Sequence, residues 1–320
     1  MKQIGVGIIG TGGISDSAHA PAISAVDQAS LVAVLSRDET KGQDFLSRHN
    51  AGDATVHTTL ESFVADPKIN MVIICSPDGL HAEQASTCLN NGKHVLVEKP
   101  MSLSAEDALK LVELAKEKQL TLATGFHLRS HNGFRALHER LIEQGEIGNI
   151  RHIRAVWAWL QNDDSNWRAK DDLTKWWSLS GVGSHCIDLT RWFADDVADW
   201  KSFKPVIANN LWGGPHDETA VIAGQTSKGP TVEVVSSVQF GPYNRLEIFG
   251  DKGIAICEDA MGRSGAGKIT INDSELQFKT ASPFIGQLED FISCVGTTRK
   301  PRADGSVGLR SVKDLVLATT

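Results

Sequence analysis

The sequence has few cysteines, no long apolar run and no excess of positive charge. Its five cysteines are scattered and form no Cys-x-x-Cys pair or Cys/His ligand spacing, so we expect neither a disulfide framework nor a metal site. Because about 18 consecutive apolar residues occur nowhere, no transmembrane helix is predicted. The formal net charge of −7 argues against a nucleic-acid or anionic-membrane partner. The chain enters an apolar run without a charged leader, which predicts a soluble, cytoplasmic protein.

Tyrosine is almost absent, and tryptophan is absent from the first 156 residues. There is one tyrosine, and all eight tryptophans lie between Trp157 and Trp212. A length of 320 residues exceeds what a single hydrophobic core usually organises, and 41% hydrophobic residues suffice for real cores. We therefore predict two domains with different roles, divided after residue 124.

Short apolar runs alternate with helix-length segments over the first 125 residues. Strands are predicted at 4–9, 31–35, 71–75, 94–98 and 121–125. Helices are predicted at 14–26, 39–50, 81–91 and 104–118, the last capped by Ser102 or Ser104. This alternation predicts a parallel sheet covered on both faces, which binds ligands beyond the carboxyl ends of its strands.

A glycine-rich turn follows the first predicted strand. Gly10 permits the tight turn, Gly12 lets backbone N–H groups approach a pyrophosphate, and Ser15 takes the close-packing third position. The residues predicted to hold the phosphates are Gly10, Thr11, Gly12, Gly13 and Ile14. The alternative is an ordinary glycine turn. Its place between a strand and a helix favours an α/β Rossmann domain that binds a dinucleotide, over residues 1–124.

The end of the second predicted strand bears on which dinucleotide binds. An NAD site usually places Asp or Glu there, to bind the ribose 2′-hydroxyl. Here Leu35 is followed by Ser36 and Arg37, a hydroxyl and a guanidinium that suit a 2′-phosphate, so NADP is predicted over NAD. Asp38, one or two positions late, is the competing contact of the NAD type. A third alternative makes Arg37 a solvated loop residue.

Two further motifs follow predicted strands. Ser76-Pro77-Asp78-Gly79-Leu80-His81 comes after the third, and Val97-Glu98-Lys99-Pro100 ends the fourth. With the glycine turn, these motifs make the chain resemble the glucose–fructose oxidoreductase / inositol dehydrogenase (Gfo/Idh/MocA) family over essentially its whole length. The resemblance implies an NAD(P)-dependent enzyme that acts on sugars or cyclitols. It also implies that Lys99 is catalytic, that the bond before Pro100 is cis, and that Ser76, Pro77 and His81 contact the cofactor.

The position of Lys99 supports a catalytic role on physical grounds. A lysine at the carboxyl end of a central strand lies beside the ligand crevice, where burial and neighbouring charge tune its pKa. There it can hydrogen-bond the reacting oxygen and exchange a proton as hydride moves. Glu98 is predicted to be either its electrostatic partner or a cofactor contact. The alternatives are an exposed loop lysine for Lys99 and a helix-capping or surface histidine for His81.

Longer alternating runs fill the second half of the chain. Strands are predicted at 149–160, 218–225, 231–240 and 244–249, with a hairpin turn at Ser227-Lys228-Gly229. Helices are predicted at 134–144, 284–295 and 306–318. This pattern predicts an α+β domain with a large open, mostly antiparallel sheet over residues 125–320. The resemblance implies that such a sheet forms an oligomer interface, so we expect a homodimer or homotetramer.

The segment Ser180-Gly181-Val182-Gly183-Ser184-His185-Cys186-Ile187-Asp188 resembles the family's D-x-G-x-H-x-x-D segment. His185 then matches the family's catalytic or substrate-binding histidine, and Asp188, three residues on, can orient its ring. Gly181 departs from the pattern, because many members carry there an acid that assists the lysine. Any proton relay must then rest on Lys99 and His185, with water or His127. For His185 the alternative is a satisfied histidine at a helix start.

The tryptophans divide into several groups. Trp157 and Trp159 alternate along a strand, so both are expected to point to one face and to pack at a sheet–helix or subunit contact. Arg168 belongs to a Trp-Arg pair that the family often carries near the cofactor, which implies a cofactor contact. Trp176 or Trp177 is expected to line the substrate pocket, with core packing as the alternative. The predicted substrate contacts are His127, Arg129, Trp176 and His185.

Three functions compete on these grounds. The leading prediction is an NADP-preferring oxidoreductase, with NAD as a possible cofactor, that transfers hydride between nicotinamide and a carbon of a sugar, polyol or sugar derivative. Lys99, assisted by His185, is its acid and base. The departure at Gly181 raises a non-catalytic NAD(P)-binding sensor as an alternative. A glycosidase that recycles bound NAD is the third, and Ser36-Arg37 argues against it.

Overall fold

The computed structural model describes residues 3–170 and 172–320, which form two compact units. One unit consists of Met1–His127 and Phe284–Val312, and the other of Leu128–Pro283 and Lys313–Thr320. The sequence prediction assigned everything after residue 124 to a second domain. The grouping differs near the C-terminus, because Phe284, Leu288 and Phe291 pack into the hydrophobic core of the first unit.

The first unit is built on a six-stranded sheet. Its strands are β1 (Ile4–Ile9), β2 (Ala29–Leu35), β3 (Thr55–His57), β4 (Met71–Ile74), β5 (His94–Val97) and β6 (Leu122–Thr124). Their order is β3-β2-β1-β4-β5-β6 and every pairing is parallel. This is the strand order of a doubly wound dinucleotide-binding fold, and the predicted Rossmann domain is confirmed. The three-residue edge strand β3 was not predicted.

Helices connect the consecutive strands of this sheet. They are α1 (Ala20–Ala25), α2 (Glu39–Arg48), α3 (Leu60–Ala65), α4 (His81–Asn90) and α5 (Ala105–Glu117). A π-helical turn, Ser15–His19, leads directly into α1. Of the two predicted caps of α5, Ser104 is the one used, since its hydroxyl accepts a hydrogen bond from the Asp107 N–H at 3.1 Å.

The second unit is built on an eight-stranded sheet. It begins with α6 (Asn132–His138) and continues through β7 (Ile150–Ala158), α7 (Ser184–Ala194), β8 (Trp200–Ala208), β9 (Thr219–Thr226), β10 (Thr231–Ser237), β11 (Tyr243–Gly250), β12 (Ile254–Glu258), β13 (Lys268–Ile271) and β14 (Ser274–Glu275). The order is β14-β13-β12-β11-β7-β10-β9-β8, and only β7 and β10 pair in parallel. The predicted open, mostly antiparallel sheet is confirmed, and α7 packs against β7 and β10.

Two helices close the chain, α8 (Pro283–Cys294) and α9 (Gly305–Thr319), near the predicted bounds. Within residues 3–170 and 172–320, no helix has both the length and the apolar character that crossing a bilayer requires.

Candidate active site

The glycine turn follows β1 and has an open side. Gly10 has a φ of +90°, and a Cβ there would lie 3.0 Å from the backbone carbonyl of Cys75, so only glycine fits. Gly12 and Gly13 are exposed, and, beyond their chain neighbours, no atom of the described residues lies within 4 Å of where their Cβ atoms would be. The backbone at these two positions can therefore approach a bulky anion closely, which fits the pyrophosphate of a dinucleotide.

The first helical turn behind the glycines is internally bonded. The Ser15 hydroxyl donates to the Gly12 carbonyl at 2.7 Å, and the Asp16 N–H donates to the same oxygen at 3.0 Å. Ser15 is buried, as expected for the close-packing position, whereas Thr11 and Ile14 are half-buried. The predicted phosphate-binding residues therefore lie together on one turn that ends in a helix start.

The loop after β2 carries the two residues that compete as contacts for the adenosine ribose, Arg37 and Asp38. The Asp38 carboxylate accepts a hydrogen bond from the Lys41 N–H at 3.2 Å and caps α2. The buried Ser36 hydroxyl donates to the Asp38 carbonyl at 2.8 Å. Arg37 is exposed and makes no hydrogen bond or ion pair with the described part of the chain. Its guanidinium is thus available for a ligand, while Asp38 serves the helix.

His81 joins the loops after β4 and β5. Its Nδ1 lies 2.7 Å from the Pro100 carbonyl oxygen, and its Nε2 lies 2.9 Å from the Ser76 carbonyl oxygen. The Ser76 hydroxyl donates to Gln84 Oε1 at 2.6 Å. Since the ring is buried and both nitrogens face backbone carbonyls, His81 holds the two loops together. The contacts of Ser76, Pro77 and His81 with a cofactor stay predictions.

Glu98 and Lys99 follow β5, and the Lys99–Pro100 bond is cis. Glu98 is buried, its Oε1 lies 2.8 Å from His19 Nε2, and its Oε2 accepts a hydrogen bond from the Lys99 backbone N–H at 3.3 Å. Burial by itself raises the pKa of Glu98, but the hydrogen bond and charge of His19, with Lys99 and His127 nearby, lower it to about 2. The carboxylate beside Lys99 is therefore negatively charged.

Two ring contacts with Phe284, and a glycine next to the Glu98 carboxylate, lie at this end of the sheet. The His127 ring stacks on Phe284 with centroids 4.4 Å apart, and the His19 ring meets the same phenyl edge-on at 5.1 Å. A Cβ at Gly125 would lie 2.8 Å from the Glu98 carboxylate. The structure thus places His19, Lys99 and His127 around the Glu98 carboxylate. The only signal in the sequence for His19 is its place on the helix behind the glycine turn.

In the second unit His185 is the second residue of α7. The ring is buried and its centroid lies 5.5 Å from that of Trp157, at an angle of 32°. A π-helical turn, Leu179–Gly183, leads into the helix. Buried Asp217 fixes that turn, because its carboxylate accepts hydrogen bonds from the Trp177 and Leu179 N–H groups, each at 2.8 Å.

Arg129 has partners that differ from the prediction. Its Nε and Nη2 donate to the Asp188 carboxylate at 2.8–3.0 Å, and its Nη1 and Nη2 donate to Asp196 at 2.7 and 2.6 Å. The guanidinium is buried, and these two carboxylates use most of its N–H groups. Arg129 therefore ties the segment before α6 to α7, and the geometry does not support its predicted contact with substrate. Asp188 binds Arg129, and its role in orienting His185 stays a prediction.

Trp159 fills the space beside Gly181. A Cβ at Gly181 would lie 2.4 Å from Trp159 Cη2 and 3.0 Å from Cζ3. Trp157 and Trp159 therefore do share one face of the sheet, as expected, and that face carries the His185 segment. The family's acid at position 181 has no room here, because an indole ring occupies its place.

The tryptophans nearer the predicted pocket take different positions. Trp176 is completely buried and its indole N–H donates to the Thr319 hydroxyl at 3.2 Å, so it packs in the core instead of lining a pocket. Trp177 is also buried, and the centroid of its ring lies 5.2 Å from that of the Trp212 ring. Arg168 stacks over Trp167 at 4.2 Å and its Nε donates to the Ser180 hydroxyl at 3.1 Å. The predicted contact of Arg168 with the cofactor stays a prediction.

Comparison with known proteins assigns the family. A model described as an oxidoreductase family with an NAD-binding Rossmann fold matches residues 4–126, and a model of the GFO/IDH/MocA C-terminal domain matches residues 134–256. The chain belongs to the GFO/IDH/MocA family of oxidoreductases. The resemblance stated from the motifs is thereby confirmed, as are the predictions of a dehydrogenase or reductase and of an NAD(P)-binding Rossmann domain.

Several named GFO/IDH/MocA proteins are similar to this chain. The scyllo-inositol 2-dehydrogenase (NADP(+)) of Bacillus subtilis is 31% identical over 73% of this chain and 58% of its own length. The 1,5-anhydro-D-fructose reductase of Ensifer adhaerens is 26% identical over 88% of this chain and 85% of its own. Among solved structures, the aldose-aldose oxidoreductase of Caulobacter crescentus superposes with a TM-score of 0.88 at 20% identity, covering 99% of this chain and 97% of its own. That likeness supports the fold.

Proposed function

We propose that this protein is an NADP-preferring oxidoreductase that transfers hydride between nicotinamide and a carbon of a sugar, polyol or sugar derivative. The observation that carries the proposal is the group of features at the carboxyl edge of the first sheet. An open glycine turn follows β1, and Lys99 follows β5 beside the buried, charged carboxylate of Glu98. Bound nicotinamide supplies or accepts the hydride, and the chain's own residues handle the proton.

Lys99 is the proposed acid and base. In reduction its ammonium group donates a proton to the substrate's carbonyl oxygen as hydride reaches the carbon, and in oxidation its amine accepts the hydroxyl proton. The negative charge of Glu98 favours the ammonium form. His185 is proposed to assist by binding the reacting or neighbouring hydroxyl, with the Trp157 ring beside it.

The cofactor preference rests on the loop after β2. Arg37 is exposed and unpaired among the described residues, and its planar fork suits a 2′-phosphate. The carboxylate that would favour an unphosphorylated ribose, that of Asp38, caps α2. The similar protein from B. subtilis is named a scyllo-inositol 2-dehydrogenase (NADP(+)), which agrees with this preference.

A second candidate, a sensor that binds NAD(P) without turnover, is favoured by one observation. Trp159 occupies the place of the acid that many family members carry at position 181. Lys99 and the Glu98 carboxylate argue for turnover, because a sensor needs neither.

Turnover against a substrate panel separates these two functions. NADPH oxidation and NADP reduction are followed with sugars, ketosugars, lactones and polyols, for the wild type, Lys99→Ala and the exposed-site control Lys110→Ala. We expect one compound class to be turned over by the wild type and the control, and lost in Lys99→Ala by a factor of roughly 10²–10⁴. No turnover with any compound, or turnover that Lys99→Ala retains, contradicts the proposal.

A further inference from the structure

His19 and Glu98 form a buried ionisable pair. His19 has no role in the proposed mechanism. His19 is 2% exposed and Glu98 is 7% exposed, and Nε2 lies 2.8 Å from Oε1. Isolated charges are costly to bury, so such a pair is kept only where hydrogen bonding compensates for the lost water. The pair lies directly behind Lys99, because the other carboxylate oxygen accepts the Lys99 backbone N–H.

The surroundings hold both side chains in one arrangement. The His19 ring rests edge-on against Phe284, with an interplanar angle of 88°. On the other side, the absence of a side chain at Gly125 leaves the space that the carboxylate fills. The ring therefore has a phenyl on one side and its acceptor on the other, which directs Nε2–H at Glu98.

We propose that His19 is a positioning residue for Lys99 and acts through Glu98: it donates its Nε2–H to Oε1 and so holds the carboxylate where its other oxygen accepts the Lys99 backbone N–H. This inference rests on the proposed function, in which Lys99 exchanges the proton. His19 itself touches neither the substrate nor the proton in flight.

The groups around Glu98 set the direction of the effect. They are His19 from the π-helical turn, Lys99 next to it in the chain, His127 after β6 and the Cys75 thiol after β4. Burial raises the pKa of Glu98, and the His19 hydrogen bond is the leading contribution that lowers it. Without His19, Glu98 takes up a proton at higher pH. At the alkaline pH where a lysine titrates, Glu98 is charged with or without His19. Without the His19 donor, however, the carboxylate is no longer held next to Lys99, so it stabilises the ammonium form less and the lysine loses its proton at lower pH.

Trace labelling of the full-length protein with acetic anhydride tests this directly and needs no substrate. Only the neutral amine reacts, so the labelling of Lys99 as a function of pH, mapped by mass spectrometry, gives its titration midpoint. We expect His19→Phe and Glu98→Gln each to lower the midpoint by roughly one pH unit, about a tenfold change in labelling rate at fixed pH. His19→Gln, whose amide can still donate to Glu98, keeps the midpoint near that of the wild type.

A double variant shows whether His19 acts through Glu98. In the Glu98→Gln background, His19→Phe is expected to produce no further shift. The matched control is His57→Phe, which removes another His–carboxylate pair of the first unit, 3.3 Å from Asp66, and should leave the Lys99 midpoint unchanged.

An unmoved midpoint in His19→Phe, or an additive shift in the double variant, overturns the inference. If His19→Phe does not fold, His19→Asn takes its place, because the shorter amide does not reach Glu98 and the same shift is expected. The proposed function fails on a different result, turnover that Lys99→Ala retains, so the two failures are distinguishable.

Discussion

At the scale of single residues, the neighbours of Glu98 either bind its carboxylate or leave room for it. His19 donates to one oxygen, the Lys99 backbone donates to the other, and Gly125 leaves the room that the group needs. The lysine gains a fixed negative charge beside it, and the carboxylate is shielded from water.

Gly125→Ala tests this packing. A Cβ placed 2.8 Å from the carboxylate must displace it, so we expect a loss of about 1–3 kcal/mol in the free energy of unfolding and a lower turnover rate. Gly52→Ala is the control, because nothing lies within 4 Å of its Cβ position and its cost should stay below about 0.5 kcal/mol. Denaturant unfolding of both variants measures the difference. Equal losses would show that Gly125 has no special relation to Glu98.

Arg37→Ala tests the cofactor preference. Removing a guanidinium that binds a 2′-phosphate should raise the Kd for NADPH roughly tenfold or more and leave that for NADH nearly unchanged. Titration of cofactor fluorescence gives both constants. Lys110→Ala, on an exposed face of α5, serves as a control for loss of positive charge. Equal weakening of both cofactors, or of neither, would remove the proposed contact.

Some of these residues could be placed from the sequence, and others could not. Ser36, Arg37 and Asp38 follow a recognisable strand, so their place was predictable, but only the hydrogen bond to Lys41 showed Asp38 to be a helix cap. His19 could not be found, because a single histidine within a helix carries no pattern. Its partner Glu98 lies 79 residues away in the chain.

At the scale of elements, the turn before α7 and the residue after β7 fit each other. Trp159 takes the volume that a side chain at position 181 would need. The second unit therefore presents His185 beside the Trp157 ring, without an acid one turn before it.

Gly181→Asp and Trp159→Ala should be energetically coupled. Alone, Gly181→Asp puts a Cβ 2.4 Å from the indole and is expected to cost about 1–3 kcal/mol of stability. In the Trp159→Ala background the cost should be smaller by at least about 1 kcal/mol, because the space is vacant. Denaturant unfolding of the four proteins measures the coupling, and strictly additive costs would contradict the close fit.

Strands could be predicted where a continuous apolar run marked a buried segment of the chain. Apolar runs identified β1, β2, β4, β5 and β6, which are buried within a parallel sheet. The strands toward the sheet edges, β3, β8, β12, β13 and β14, were missed. Most of them are short or carry polar residues, whereas β12 contains an apolar run, 254–257, that was not assigned to a strand. Trp176 lies in a polar stretch that suggested a pocket wall. Its burial depends on Thr319, more than 140 residues away, which no local pattern indicates.

At the scale of the whole molecule, the eight-stranded sheet bears on assembly. Val206 on β8 and Val221 on β9 are register partners, and they are 67% and 37% exposed. Exposed apolar pairs on an open sheet favour contact with a second copy, and we expect a homodimer or homotetramer. Light scattering of Val206→Asp/Val221→Asp should then report a smaller assembly than the wild type. A wild-type monomer would contradict the expectation, and so would a variant of unchanged mass that stays folded by circular dichroism.

The proposed function requires that hydride pass between NADPH and a sugar-like substrate while Lys99 exchanges the proton. The most direct measurement uses NADPH deuterated at C4, prepared separately on each face of the ring, with a panel of ketosugars and lactones and mass spectrometry of the products. We expect a product one mass unit heavier from one of the two labelled cofactors, formed by the wild type and lost in Lys99→Ala. No deuterium in any product, or equal labelling by Lys99→Ala, would contradict the proposed function.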